Sequence, residues 1–179
     1  LLRSVVTVVV VGTMAAMIFS LRSELAEAKA RLRVASAGGP ELFETIRSRT
    51  SVRKFDPSRP VSDADVEKIL RAAMCAPSAM DKRPWEFVVV RDREKLEALA
   101  KRLPYSRVGN GAQVAIVVCG TTDNGLPGRS KEYWIHDCSA ASMNILLAAK
   151  GLGLGAVWTG ALPGEDRIAA VREARGLPD

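Results

Sequence analysis

The segment Gln113–Gly120, QVAIVVCG, constrains the fold more than any other stretch. Its apolar residues run without alternation, so a strand built from it is buried on both faces and a single covering layer does not suffice. The neighbouring segments supply the covering helices. Glu41–Arg49 reads as a helix with Leu42, Phe43 and Ile46 inward. Ser62-Asp63-Ala64-Asp65 resembles a capping box that opens a helix running through Met74. Trp85–Arg91 (WEFVVVR) reads as a strand, and Asp92 caps a helix reaching about Leu103. After the central strand, Lys131–Lys150 is a long helix ending at Gly151. Ala156–Thr159 is a short strand, and Pro163–Ala174 closes with an amphipathic helix. The order ααβαβαβα predicts an α+β, layered domain: a central mixed sheet flanked by helices.

A different constraint acts at the N-terminus. Between Arg3 and Arg22 lie 18 residues without a charge, SVVTVVVVGTMAAMIFSL. As a helix they span about 27 Å, close to the hydrocarbon thickness of a bilayer. A soluble core helix and a signal peptide are the alternatives. An apolar surface on all sides argues against the first, and the absence of a cleavage site close behind argues against the second. Residues 1–22 are thus expected to form a membrane anchor, and residues 23–40 a charged helical stalk ending in the linker ASAGGP. Basic residues follow the apolar run, so the positive-inside rule places the catalytic domain, residues 41–179, on the cytoplasmic side.

Charge excludes a nucleic-acid partner. The net charge is +6, of which residues 1–40 carry +3, from five bases and two acids. The mild excess left on the domain forms no basic stripe with interleaved aromatics. Three cysteines without a C-x-x-C pair, Cys75, Cys119 and Cys138, fit buried thiols rather than a disulfide framework. The single histidine, His136, comes with no metal-ligand or nucleophile motif, so no metal site is expected. Demanding chemistry in such a chain needs a cofactor.

Three clusters carry chemistry. In Arg49-Thr50-Ser51-Val52-Arg53 two guanidiniums flank hydroxyls, which suits a phosphate monoester or a polyol, although capping or surface pairing is the default reading of this cluster taken alone. In Ala76–Trp85, APSAMDKRPW, prolines at both ends stiffen a polar loop suited to holding a planar heterocycle, or simply joining helix to strand. In Gly151–Gly160, GLGLGAVWTG, glycines permit close backbone approach, but the G-x-G-x-x-G pattern of a Rossmann phosphate turn is absent.

Together these clusters resemble the FMN-dependent nitroreductase family, whose patterns R-x-S-x-R-x-F, A-P-S-x-x-N-x-Q-P-W-x-F and G-L-G-x-x-W-x-G occur here in order. The matching segments are RTSVRKF, APSAMDKRPWEF and GLGAVWTG, and the resemblance covers about residues 41–179. It implies FMN as cofactor and NAD(P)H as electron donor. The implied unit is a homodimer with the flavin at its interface, and the implied acceptors are small molecules such as nitroaromatics or quinones, reduced by a ping-pong mechanism. It implies that Arg49, Thr50, Ser51 and Arg53 hold the phosphate and ribityl chain, and that Pro77, Ser78, Ala79 and Asp81 reach the flavin from the partner subunit. Arg107 would approach the pyrimidine edge, and the Thr159 backbone N–H, beside Gly160, would face the flavin N5. No side chain is then expected to act as catalytic acid or base.

Three departures accompany the resemblance. Asp81 stands where the family has Asn, and Arg83, in place of Gln, is expected to pair with it and restore neutrality. The chain ends at Leu177-Pro178-Asp179, where family members continue into another strand and a basic C-terminal residue, implying a C-terminally truncated domain. Two other readings are compatible with the clusters: a reductive dehalogenase of the same superfamily, and a non-catalytic flavin-binding membrane module.

Overall fold

Trp85–Val90 (β1) and Ala115–Gly120 (β2) pair antiparallel, with Trp85 opposite Gly120 and Val90 opposite Ala115. The computed structural model describes residues 24–25, 41–103, 105–106, 108–109, 111–121 and 126–175. The chain divides into two compact units, Leu1–Arg47 and Ser48–Asp179.

In the first unit the helix α1 (residues 41–48) is the main described element. Arg47 Nη2 donates to Glu44 Oε2 at 2.6 Å along its exposed side. Leu42, Phe43 and Ile46, expected to face inward, are exposed. Helical periodicity alone was no guide to what these three residues face.

The second unit contains the helices α2 (Asp63–Met74), α3 (Arg93–Arg102), α4 (Tyr133–Gly151) and α5 (Glu165–Arg175). Ser62 caps α2: its Oγ accepts from Asp65 N at 3.1 Å and donates to the Asp65 carboxylate at 2.7 Å. The expected capping box is thus half formed, because the Asp65 side chain answers the serine hydroxyl rather than its backbone N–H. Asp92 caps α3 by accepting from Lys95 N at 2.9 Å.

Strand geometry explains the layers. Alternate β1 residues point to opposite faces. Val88 and Val90, with Ala115 and Val117 of β2, pack on Leu96, Leu99, Leu103 and Val171, covered by α3 and α5. Trp85 and Phe87 pack on Ala73, Ala76 and Ala141, covered by α2 and α4. Helices therefore lie on both faces, as the unbroken apolar run of β2 requires, and the domain is α+β. Among the described residues the sheet has two strands. The strand expected at Ala156–Thr159 is reduced to one parallel bridge, between Ser51 and Ala156.

The expectation of a membrane-anchored protein with a cytoplasmic catalytic domain is corrected. Among the described residues no helix is long and apolar enough to cross a membrane. The 19-residue α4 has the length, but it carries Asp137 and Lys150 and packs on α2 and β2. The apolar run of residues 4–21 and the linker of residues 35–40 lie outside the described residues.

Candidate functional site

The first and third clusters, about a hundred residues apart in sequence, meet in space. Val52 N donates to Ala156 O at 3.0 Å beside the Ser51–Ala156 bridge. The approach is close because Gly155 has no side chain: a Cβ there would lie 2.8 Å from Val52 Cγ1. Gly153, at φ +72°, turns the chain out of α4 in a conformation that favours glycine. The junction borders a cavity of about 240 Å³ lined by Arg49, Thr50, Val52, Leu146, Lys150 and residues 153–156. No carboxylate belongs to this lining.

Of the first cluster, Arg49, Thr50 and Val52 line the cavity, and Ser51 and Arg53 do not. Ser51 lies in the bridge, and exposed Arg53 turns back so that its Nη1 donates to Ser51 O at 3.4 Å. Beyond them, Asp56 Oδ1 accepts from Ser58 N at 2.9 Å and Ser58 Oγ at 2.6 Å, closing a tight turn, and these bonds hold its carboxyl below the usual carboxylate range. Gln113 secures the segment from Pro57 to Val61: its Oε1 accepts from Val61 N at 3.0 Å, and its Nε2 donates to Pro57 O at 3.0 Å and Arg59 O at 2.8 Å. Sequence reasoning missed Gln113, since a glutamine at the head of an apolar run looks like a strand start.

The second cluster forms a separate, strained loop. Met80, Asp81 and Arg83 all have positive φ, between 48° and 54°. Ser78 Oγ accepts from Arg83 N at 2.9 Å, and Ala79 N donates to Oδ1 of the buried Asp137 at 3.0 Å. Asp137, also unforeseen, thereby anchors the loop to α4. Arg83 Nε and Nη2 donate to Asp81 Oδ1 and Oδ2 at 2.8 and 3.1 Å, so the expected pairing forms. The Arg83 hydrogen bond, then its charge, lowers the Asp81 pKa and keeps the carboxylate ionised. Pro77 is exposed, and Ser78 and Ala79 are half-buried. None of the cluster's residues lines the cavity.

Thr159 Oγ1 reaches Ser106 O at 3.5 Å, and Gly160 O accepts from Arg167 Nη1 at 3.5 Å. Arg107 lies outside the described residues. Among the described residues no group of His, Cys, Asp and Glu could hold a metal ion.

The nitroreductase family model matches residues 46–103 and 100–179. The chain belongs to the nitroreductase family. A relative from Methanothermobacter thermautotrophicus, assigned the name NADH dehydrogenase/NAD(P)H nitroreductase, is 48% identical over 140 residues, covering 78% of this chain and 71% of the relative. A crystal structure of a protein with the same assigned name from Parabacteroides distasonis shares 49% identity with a TM-score of 0.71, over 78% of this chain and 79% of that one. A nitroreductase structure in complex with FMN, from Desulfovibrio desulfuricans, shares 34% identity with a TM-score of 0.65, over 76% and 77% of the two chains. This nitroreductase is thus an oxidoreductase with the α+β fold of its family. Its cavity chemistry fits the phosphate end of FMN: residues bearing guanidinium, ammonium and hydroxyl groups line it, and no carboxylate is among them.

Proposed function

We propose that this nitroreductase binds FMN, draws hydride from NADH or NADPH, and reduces nitroaromatic, quinone or similar small acceptors by a ping-pong mechanism. The observation carrying the proposal is the junction of RTSVR with GLGAVWTG, which puts Arg49 and Thr50 into one cavity with a glycine-lined backbone. FMN, when bound, supplies the relay that accepts hydride from one substrate and delivers it to the next.

The protein's own part is binding and orientation. Arg49 offers paired N–H donors to a phosphate, with Thr50 and Ser51 as adaptable hydroxyl partners for phosphate and ribityl groups. Arg53, exposed beside them, adds positive potential. The Thr159 backbone N–H, next to Gly160, serves as donor toward the flavin N5, a role that leaves side-chain identity there free. Arg107 places positive charge at the pyrimidine edge and favours the anionic reduced cofactor. Pro77, Ser78, Ala79 and Asp81 act from the second subunit of a homodimer. None of the four lines the cavity of its own chain, which supports that assignment. The FMN-binding domain in this proposal is residues 41–179.

The test is spectroscopic. Protein reconstituted with FMN is expected to be yellow, to bleach with NADH or NADPH without oxygen, and to recover colour when a nitroaromatic is added. Initial rates over both substrates should give parallel double-reciprocal lines. Intersecting lines that require both substrates bound together would sink the ping-pong mechanism, and a protein that never takes up FMN would sink the whole proposal.

A further inference from the structure

The RTSVRKF motif supplies the cavity with one cation, Arg49, yet the lining has a second from elsewhere. Lys150, in the last turn of α4, lines the same cavity as Arg49 and Thr50 and is half-buried. Among the described residues it forms no ion pair and no side-chain hydrogen bond. A third cation stands close by: Arg59 Nη2 lies 3.7 Å from the point a Cβ on Gly153 would occupy.

A lysine in a last helical turn ordinarily serves the helix terminus, where free carbonyls and the macrodipole attract positive charge. That role is largely filled here. Leu152 N donates to Ala148 O at 3.0 Å, Leu154 N to Ala149 O at 2.8 Å, and Gly153 N to Lys150 O at 2.9 Å. The carbonyls of Ala148, Ala149 and Lys150 are thus taken by backbone and leave the ammonium little local demand. Two cations sharing a partly enclosed site without a carboxylate repel one another, and an anion between them removes that cost.

We propose that Lys150 is a phosphate-binding residue of this site, pairing with Arg49 across the cavity to clamp the terminal phosphate of FMN. The inference rests on the FMN reading above and adds a residue outside its motifs. Arg49 contributes a planar fork and Lys150 a mobile point charge, so the pair can follow a tetrahedral phosphate from two sides. Hydrophobic Leu146, one turn earlier on α4, lies on the same lining and limits water around the ammonium.

Comparing FMN with riboflavin, which lacks the phosphate, isolates the role. Flavin fluorescence titration of the full chain is expected to show FMN binding tighter than riboflavin. Lys150→Gln should weaken FMN about tenfold or more and leave riboflavin nearly unchanged. Lys150→Arg should restore most of the FMN affinity. If Lys150→Gln weakens both flavins equally, or neither, the proposal is overturned while FMN binding itself stands. If the unsubstituted protein binds FMN no tighter than riboflavin, the phosphate reading of the cavity fails first. Should Lys150→Gln not fold, amine acylation of the unsubstituted protein decides the question. FMN, but not riboflavin, is expected to shield Lys150 from acetylation read by mass spectrometry, and equal labelling with both flavins overturns the proposal.

Discussion

Gln113→Ala removes an acceptor for Val61 N and a donor shared by the carbonyls of Pro57 and Arg59, all from one side chain. Each hydrogen bond contributes about 1 kcal/mol net, and leaving a part-buried partner unsatisfied costs more. The variant is expected to lose about 1–3 kcal/mol in denaturant unfolding. Faster amide exchange at Val61 in native conditions would localise the loss to the loop after the phosphate motif. Gln113→Glu keeps the acceptor but turns a carboxylate toward two carbonyls, so it should fare no better. This residue was illegible in the sequence because its partners lie more than fifty positions upstream. Arg49 and Thr50 were legible because their chemistry, charge beside hydroxyl, is written locally. The thiols follow the same logic. Exposed Cys75 should alkylate readily, whereas burial, reinforced by Asp137, pushes the Cys138 thiol up to about 11. A raised folded-state pKa favours the protonated thiol, so its stabilising effect is complete below 9 and lost as pH climbs toward 11. Mass mapping after iodoacetamide at neutral pH is expected to find label on Cys75 and none on Cys138.

At the scale of elements, helices were read within a few residues of their observed limits, because capping side chains and apolar periodicity are local signals. Asp92 shows this directly: the cap proposed from sequence is the cap formed. The sheet was harder. Ala156–Thr159 has strand-like composition, but among the described residues it pairs with the backbone of Ser51 and Val52 alone, and a strand needs a partner along its length. The glycines before it were read as allowing close approach, and Gly155 meets that reading where Val52 lies against it. Gly155→Ala is therefore expected to force Val52 and Ala156 apart at about 1–3 kcal/mol. It should also weaken FMN binding in proportion, through displacement of Arg49 and Thr50. Val52→Ala removes the obstructing methyls, so the double variant should recover part of both losses in a double-mutant cycle. Strict additivity would show that the junction does not couple the two motifs.

For the molecule as a whole, the Ser48–Asp179 unit leaves Met80, Tyr105, Tyr133, Met143 and Trp158 exposed. One apolar side chain on a surface calls for no explanation, but several large ones on one unit mark a candidate interaction surface. This surface could not be read from sequence, since it depends on where the helices place residues far apart in the chain. If each site combines the cavity of one subunit with the loop of the other, two defects in different subunits should complement. Arg49→Glu disables the cavity, and Ala79→Trp fills the loop face. Each homodimer is then expected to lose FMN binding. Refolding the two together in equal amounts makes half the dimers mixed, and each mixed dimer holds one intact and one doubly defective site. Binding should therefore return to about a quarter of all sites in a two-fold symmetric assembly. Flavin titration of the mixture reads this fraction directly. If loop and cavity of the same subunit work together, every site keeps one defect and mixing restores nothing, which would overturn the shared-site arrangement while leaving the cavity's own phosphate chemistry intact.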